Sequence, residues 1–109
     1  MSFTLRSPAF REGEAIPTRF AYRGEGQNLS PALAWSEVPS GTRALALVCD
    51  DPDAPSPQKP RPKPWVHWVL YDLPPELDGL GEGKSAGGVG KNDFGELAWG
   101  GPMPPPGSG

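Results

Sequence analysis

The chain contains one histidine, His67, and imidazole is the only side chain that changes charge near neutrality without help from its surroundings. Three aspartates, Asp50, Asp51 and Asp53, gather within four positions, where carboxylates repel one another unless something separates or neutralises them. Pro52 and Pro55 fix the directions in which they leave the chain. An aspartate set beside His67 and lined by tryptophan rings makes a small polar spot in an apolar cup. Such a spot suits an anion that carries a hydrogen-bonding group: imidazolium and backbone amides attract it, while the carboxylate fixes the imidazole tautomer or accepts a donor from the ligand. On residue types alone a second reading stands beside this one, in which His67 is a hydrogen-bonded core residue and the aspartates form a solvated turn after a strand.

Other chemistries are poorly supported. Gly79–Ser85, GLGEGKS, has the look of a phosphate loop, but Asp78 stands where the first glycine of that motif must be. Asp51 and Asp53 with one distant histidine are too few for a structural zinc site, and the glycine and terminal glutamate of a calcium loop are missing. No metal and no cofactor is expected. Cys49 lies in an apolar run where a thiol behaves as a small hydrophobe, and no Gly-x-Ser-x-Gly elbow occurs. Asn28-Leu29-Ser30 fits a glycosylation sequon, but the N-terminus MSFTLRSPAF does not read as a secretory signal. Nucleophilic catalysis is therefore poorly supported, and acid–base hydrolysis by Asp51 and His67 is a minor reading beside the non-catalytic binding role expected of this chain.

The elements that must position these residues are short. Apolar runs separated by turn residues predict an all-β domain. The strongest strand signal is Trp65–Leu73, WVHWVLYDL, and the next is Arg43–Asp50, RALALVCD. Neither alternates cleanly with polar residues, which predicts central strands covered on both faces. Period-two geometry predicts His67 on the face of Trp65, Val69 and Tyr71, with Val66, Trp68 and Leu70 on the other. Weaker strands are expected at Phe3–Arg6, Arg19–Tyr22 and Leu33–Trp35. Between the two strong strands six prolines fall within Asp50–Pro64, which predicts a stiff extended loop. Pro74–Asp93 is Gly-rich and reads as a second loop, with one helical turn over Glu76–Leu80. The tail from Gly100 to Gly109 has no capacity for regular structure.

Size and composition bound the rest. A chain of 109 residues has room for one domain and one core. With 15 Gly and 16 Pro it approaches the composition of disordered chains, but four Trp, four Phe and two Tyr call for a core to bury them. A net charge of −3 gives no field that would draw the chain to nucleic acid or to an anionic membrane. One cysteine allows no disulfide within the chain. No apolar stretch is long enough for a membrane span, so a cytoplasmic protein is the expectation.

Taken in order, NLSPALAW, DPDAP, WVHWVLYDLP, GKNDFG and GGPMPPPG resemble the phosphatidylethanolamine-binding protein family, and more narrowly its bacterial and archaeal Raf kinase inhibitor-like branch. The resemblance runs from about Ile16 to the last residue, and DPDAP followed closely by WVHW is its most specific part. It implies an antiparallel β-sandwich with long Gly/Pro-rich loops and an end pocket for phosphate-like anions or phosphorylated headgroups. Carried over by motif position, Asp51 and His67 line that pocket, Asp53, Pro55 and Trp65 stand close by, and Gly101-Pro102 forms a rim. In relatives a His-Arg-Tyr segment, a further strand and a helix follow, so the chain is read as one domain over 1–109, truncated at its C-terminal end relative to the family. A missing strand would leave a sheet edge open and favour a homodimer. The alternative function is inhibition of a kinase or protease partner through the proline-rich loops.

Overall fold

The computed structural model describes residues 2–54 and 62–103. Among the described residues six strands form two antiparallel sheets. In the first, β1 (Thr4–Arg6), β2 (Leu33–Ser36) and β5 (Gly79–Leu80) lie in the order β1-β2-β5; in the second, β3 (Leu45–Asp51), β4 (Trp65–Leu73) and β6 (Gly88–Val89) lie in the order β3-β4-β6. The architecture is the expected all-β one. A single apolar cluster joins the sheets: Trp35 and Leu80 come from the first, Trp68, Leu70 and Leu73 from the second, and Phe20 and Trp99 from the connecting segments. Burying these rings and branched chains is the main favourable term in folding. Trp35 keeps its polar end satisfied by donating from Nε1 to the Leu77 carbonyl at 2.7 Å.

Trp65–Leu73 is a strand over its full predicted span, because β-branched and aromatic residues fit a pleated, buried surface. The β3 strand begins two residues later than expected and ends at Asp51. It is not covered on both faces. Ala46, Val48 and Asp50 are exposed while Leu45, Leu47 and Cys49 turn inward, and among the described residues only β4 pairs with it. An apolar run without polar alternation can thus belong to an edge strand that leaves small and branched chains in solvent.

Arg19–Tyr22 is not a strand. Thr18–Phe20 is a turn of 3-10 helix, which starts at Pro17, whose fixed φ of −56° suits the entry, and it is closed by Phe20 N–H donating to the Pro17 carbonyl at 3.1 Å. This turn drives the Phe20 ring into the core, where it is 1% exposed. The loop predicted over Pro74–Asp93 contains β5 and β6, and the helical turn predicted over Glu76–Leu80 is instead a tight turn, with Leu77 N–H donating to the Pro74 carbonyl at 3.1 Å, followed by β5. Both short strands open on glycine because neighbours press on the backbone: a Cβ at Gly79 would stand 2.6 Å from the Leu33 carbonyl oxygen, and one at Gly88 2.3 Å from the Tyr71 ring.

Two bulges in β4 set the geometry of the site. Leu45 faces Leu73 and Leu47 faces Leu70, so Tyr71 and Asp72 stand against Ala46 alone, and Asp72 takes up a left-handed φ of 54°. Nearer the start of the strand, Cys49 faces Trp68 and Asp50 faces Val66. His67 is the extra residue between them.

Candidate functional site

A bulge re-aims the side chain of its inserted residue, and here it breaks the period-two alternation expected for β4. His67 and Trp68 are adjacent and both buried, at 8% and 2% exposure. Both rings meet Trp99, with centroids 6.3 Å and 5.6 Å away. They do not point to opposite faces.

The segment that receives His67 is Asn92–Pro102. The backbone exchanges two hydrogen bonds with it: Gly100 N–H donates to the His67 carbonyl at 2.9 Å, and His67 Nδ1–H donates to the Gly100 carbonyl at 2.6 Å. A carbonyl can only accept, so the proton of the neutral imidazole sits on Nδ1. Nε2 is left as the nitrogen with no hydrogen bond to any described residue. Gly100 is required at this contact, since a Cβ there would stand 2.3 Å from the Phe94 ring.

Asn92, 3% exposed, ties the segment together. Its Oδ1 accepts from the Phe94 and Glu96 N–H groups at 2.9 and 3.0 Å, and its Nδ2 donates to the Ala98 carbonyl at 2.6 Å. This is an asparagine side chain standing in for backbone in a turn, with Gly95 supplying the left-handed φ of 85°. The turn presents Phe94, which stacks on Tyr22 with centroids 4.2 Å apart and receives the Trp65 ring edge-on at 5.2 Å; its centroid is 6.1 Å from that of His67. Arg23 lies over the outer face of Tyr22 and is paired with Glu96 at 2.5 Å.

The rim is held from the other side. Gly101 N–H donates to Asn28 Oδ1 at 2.8 Å, Tyr22 N–H donates to the Pro102 carbonyl at 3.1 Å, and Trp99 Nε1 donates to the Phe20 carbonyl at 3.1 Å. A Cβ on Gly101 would be 2.0 Å from the Phe20 oxygen, so only glycine lets this strand of the rim lie so close.

Of the residues singled out from sequence, Asp51 pairs directly across the sheet with Trp65, two positions from His67 on the same strand. One Asp51 oxygen, Oδ1, accepts the Asp53 N–H at 2.9 Å, the local turn that proline directs. Among the described residues no hydrogen bond or ion pair joins Asp51 to His67. The imidazole tautomer is set by the Gly100 carbonyl and not by an aspartate. Asp51, Trp65 and His67 lie at the paired ends of β3 and β4 with Asp53 turned back on Asp51, while Gly101 and Pro102 follow Gly100 in the rim and are bonded to Asn28 and Tyr22. Pro55 and most of the proline-rich loop lie outside the described residues. Tyr22, Asn28, Asn92, Phe94, Trp99 and Gly100 were not singled out, although NLSPALAW and GKNDFG contain three of them. Cys49, half-buried behind this end of β3, has its thiol pushed up from 9.0 to about 11 by burial, with the Asp50 and Asp51 carboxylates adding to the effect.

A family profile described as phosphatidylethanolamine-binding protein matches residues 6–109. The chain is 43% identical over 110 residues to a UPF0098 protein of Methanothermobacter thermautotrophicus, with 94% of this chain and 68% of the relative covered. It is 36% identical to the UPF0098 protein YbhB of Escherichia coli, covering 94% and 69%. Two solved structures superimpose closely: a phosphatidylethanolamine-binding protein homologue, CT736, from Chlamydia trachomatis, with a TM-score of 0.85 at 34% identity over 96% of this chain and 67% of that one, and Escherichia coli YbcL, described as a member of the mammalian PEBP family, with a TM-score of 0.84 at 34% identity over 96% and 68%.

Proposed function

The chain belongs to the phosphatidylethanolamine-binding protein family, and from that premise we propose that the His67 site binds a small anion of the phosphate type, free or as a phosphorylated headgroup, without turning it over. The observation that carries the reading is the commitment of His67 Nδ1–H to the Gly100 carbonyl, which aims the other nitrogen away from the backbone. When protonated, Nε2 becomes a charged donor, and a charge-assisted hydrogen bond to an anion contributes about 1.5–3 kcal/mol. The surrounding rings of Trp65, Phe94 and Trp99 exclude water, which strengthens that bond, and an amine on the ligand has the second Asp51 oxygen to meet. On the same reading the protein acts in the cytoplasm. Among the described residues no helix is long and apolar enough to cross a membrane.

Isothermal titration with inorganic phosphate and with phosphoethanolamine tests the proposal. Saturable binding is expected, weakened at least tenfold in His67→Ala, with Asp51→Ala affecting phosphoethanolamine more than phosphate. Both variants retain the wild-type circular dichroism spectrum. Equal affinity in wild type and both variants, or no heat of binding at millimolar ligand, would end the reading.

A further inference from the structure

A cavity lined by Trp99, but not by His67, stands apart from the site just described. It measures about 240 Å³ and is formed where Asn28–Ser30, Gly83–Ser85 and Leu97–Trp99 meet Trp68 and Val89. That is just below the volume range of sites for drug-sized ligands, roughly 300–1,000 Å³. Its lining combines the Trp68 and Trp99 rings, which meet edge to face, with the polar side chains of Ser30, Lys84 and Ser85. Two features of the polar residues are unusual. Ser30 is 5% exposed, and its hydroxyl has no hydrogen-bond partner among the described residues; only its carbonyl is used, by Gly83 N–H at 2.8 Å. A buried hydroxyl left unpaired costs about 1–3 kcal/mol, so the site is built for something that pairs with it. Lys84 is likewise without a carboxylate partner among the described residues, although Glu82 and Glu96, close in sequence to the lining residues, are each held by an arginine, Arg19 and Arg23. No acidic residue lines the cavity in a chain with thirteen of them.

We infer that this cavity is a separate site for a small monoanionic carboxylate with a flat apolar body. The carboxylate accepts from the Ser30 and Ser85 hydroxyls and the Lys84 ammonium, and the body lies against the indole rings of Trp68 and Trp99. One ammonium matches one negative charge; a phosphate dianion would leave a charge uncompensated beside two indole rings. The ligand class therefore differs from that of the His67 cup, and the two sites share only the Trp99 ring and the Asn28 anchor between them.

The test uses benzoate as probe and benzyl alcohol as its neutral analogue, followed by NMR of the four indole N–H signals. Benzoate moves the Trp68 signal saturably and leaves Trp65, which belongs to the His67 cup, in place. Lys84→Met, an exposed position, weakens benzoate about tenfold, and Ser30→Ala weakens it several-fold. Benzyl alcohol binds at least tenfold more weakly than benzoate. A Trp68 signal that does not move, benzoate affinity unchanged in both variants, or benzyl alcohol binding as tightly as benzoate would each overturn the inference. Movement of Trp65 instead of Trp68 would also overturn it, because the anion would then be in the His67 cup.

Discussion

Two side chains at this end of the molecule are governed by what their neighbours take from them. His67 gives Nδ1–H to a carbonyl and so has one nitrogen to offer; Cys49 has its proton held in place. Burial disfavours the thiolate and the adjacent Asp50 and Asp51 carboxylates disfavour it further, which brings the thiol to about 11. A group whose folded value lies above its unfolded value of 9.0 binds its proton more tightly in the folded state. Its contribution to stability is complete below pH 9, declines as the unfolded thiol ionises first, and is fully lost above about pH 11. Two outcomes are expected. Iodoacetamide at pH 8 labels the folded protein about a hundredfold more slowly than the urea-unfolded protein, since the thiolate fraction falls by that factor over two pH units. The urea midpoint of the wild type drops between pH 9 and 11 by more than that of Cys49→Ala. Equal labelling rates in the two states would show that the thiol is neither buried nor shielded by charge.

At the scale of elements the site is a bulged strand held by a stapled turn, and the turn is the more vulnerable part. Asn92 satisfies two N–H groups and one carbonyl from a position 3% exposed. Asn92→Ala leaves these partners without the side chain, and unpaired buried groups cost about 1–3 kcal/mol each. A loss of about 2–4 kcal/mol is expected in urea unfolding, together with loss of phosphate binding, because Phe94 and the Gly100 carbonyl would no longer be held against His67. A variant within about 0.5 kcal/mol of wild type would show that solvent replaces the asparagine at no cost. The same elements show what was legible in the sequence. Trp65–Leu73 announced itself through nine residues of consistent β chemistry, and the strands that carry Asp51 and His67 are neighbours, with Asp51 opposite Trp65. The bulge at His67 was not legible, since nothing in WVHWVLYDL marks which residue lacks a partner; the register is set by contacts with β3 and with Gly100. Nor were β5 and β6, because glycine is poor in strands on average and is required at Gly79 and Gly88 only by neighbours distant in sequence.

For the whole molecule, one core shared between two sheets leaves part of the apolar surface outside. Leu5 and Phe3 on and beside β1 are 58% and 52% exposed, Val48 on β3 is 57% exposed, and a cleft of about 150 Å³ lined by Phe3, Leu5, Trp35, Leu45, Leu47 and Leu73 runs between the two strands. Among the described residues β3 has a partner on one side only. An open ladder edge flanked by exposed apolar side chains is the feature that natural sheets guard with charges or proline; β3 carries charge only at its end, at Asp50 and Asp51, and none beside Val48. A second copy of the chain would supply a complementary edge, so self-association is expected to grow with concentration in sedimentation experiments. Val48→Lys places a charge in the middle of that edge on a residue that contributes little to the core; it is expected to shift the population towards monomer while changing urea stability by no more than about 0.5 kcal/mol. A wild-type protein that stays monomeric at millimolar concentration would mean that the β3 edge is already closed, and the lysine variant would then sediment identically.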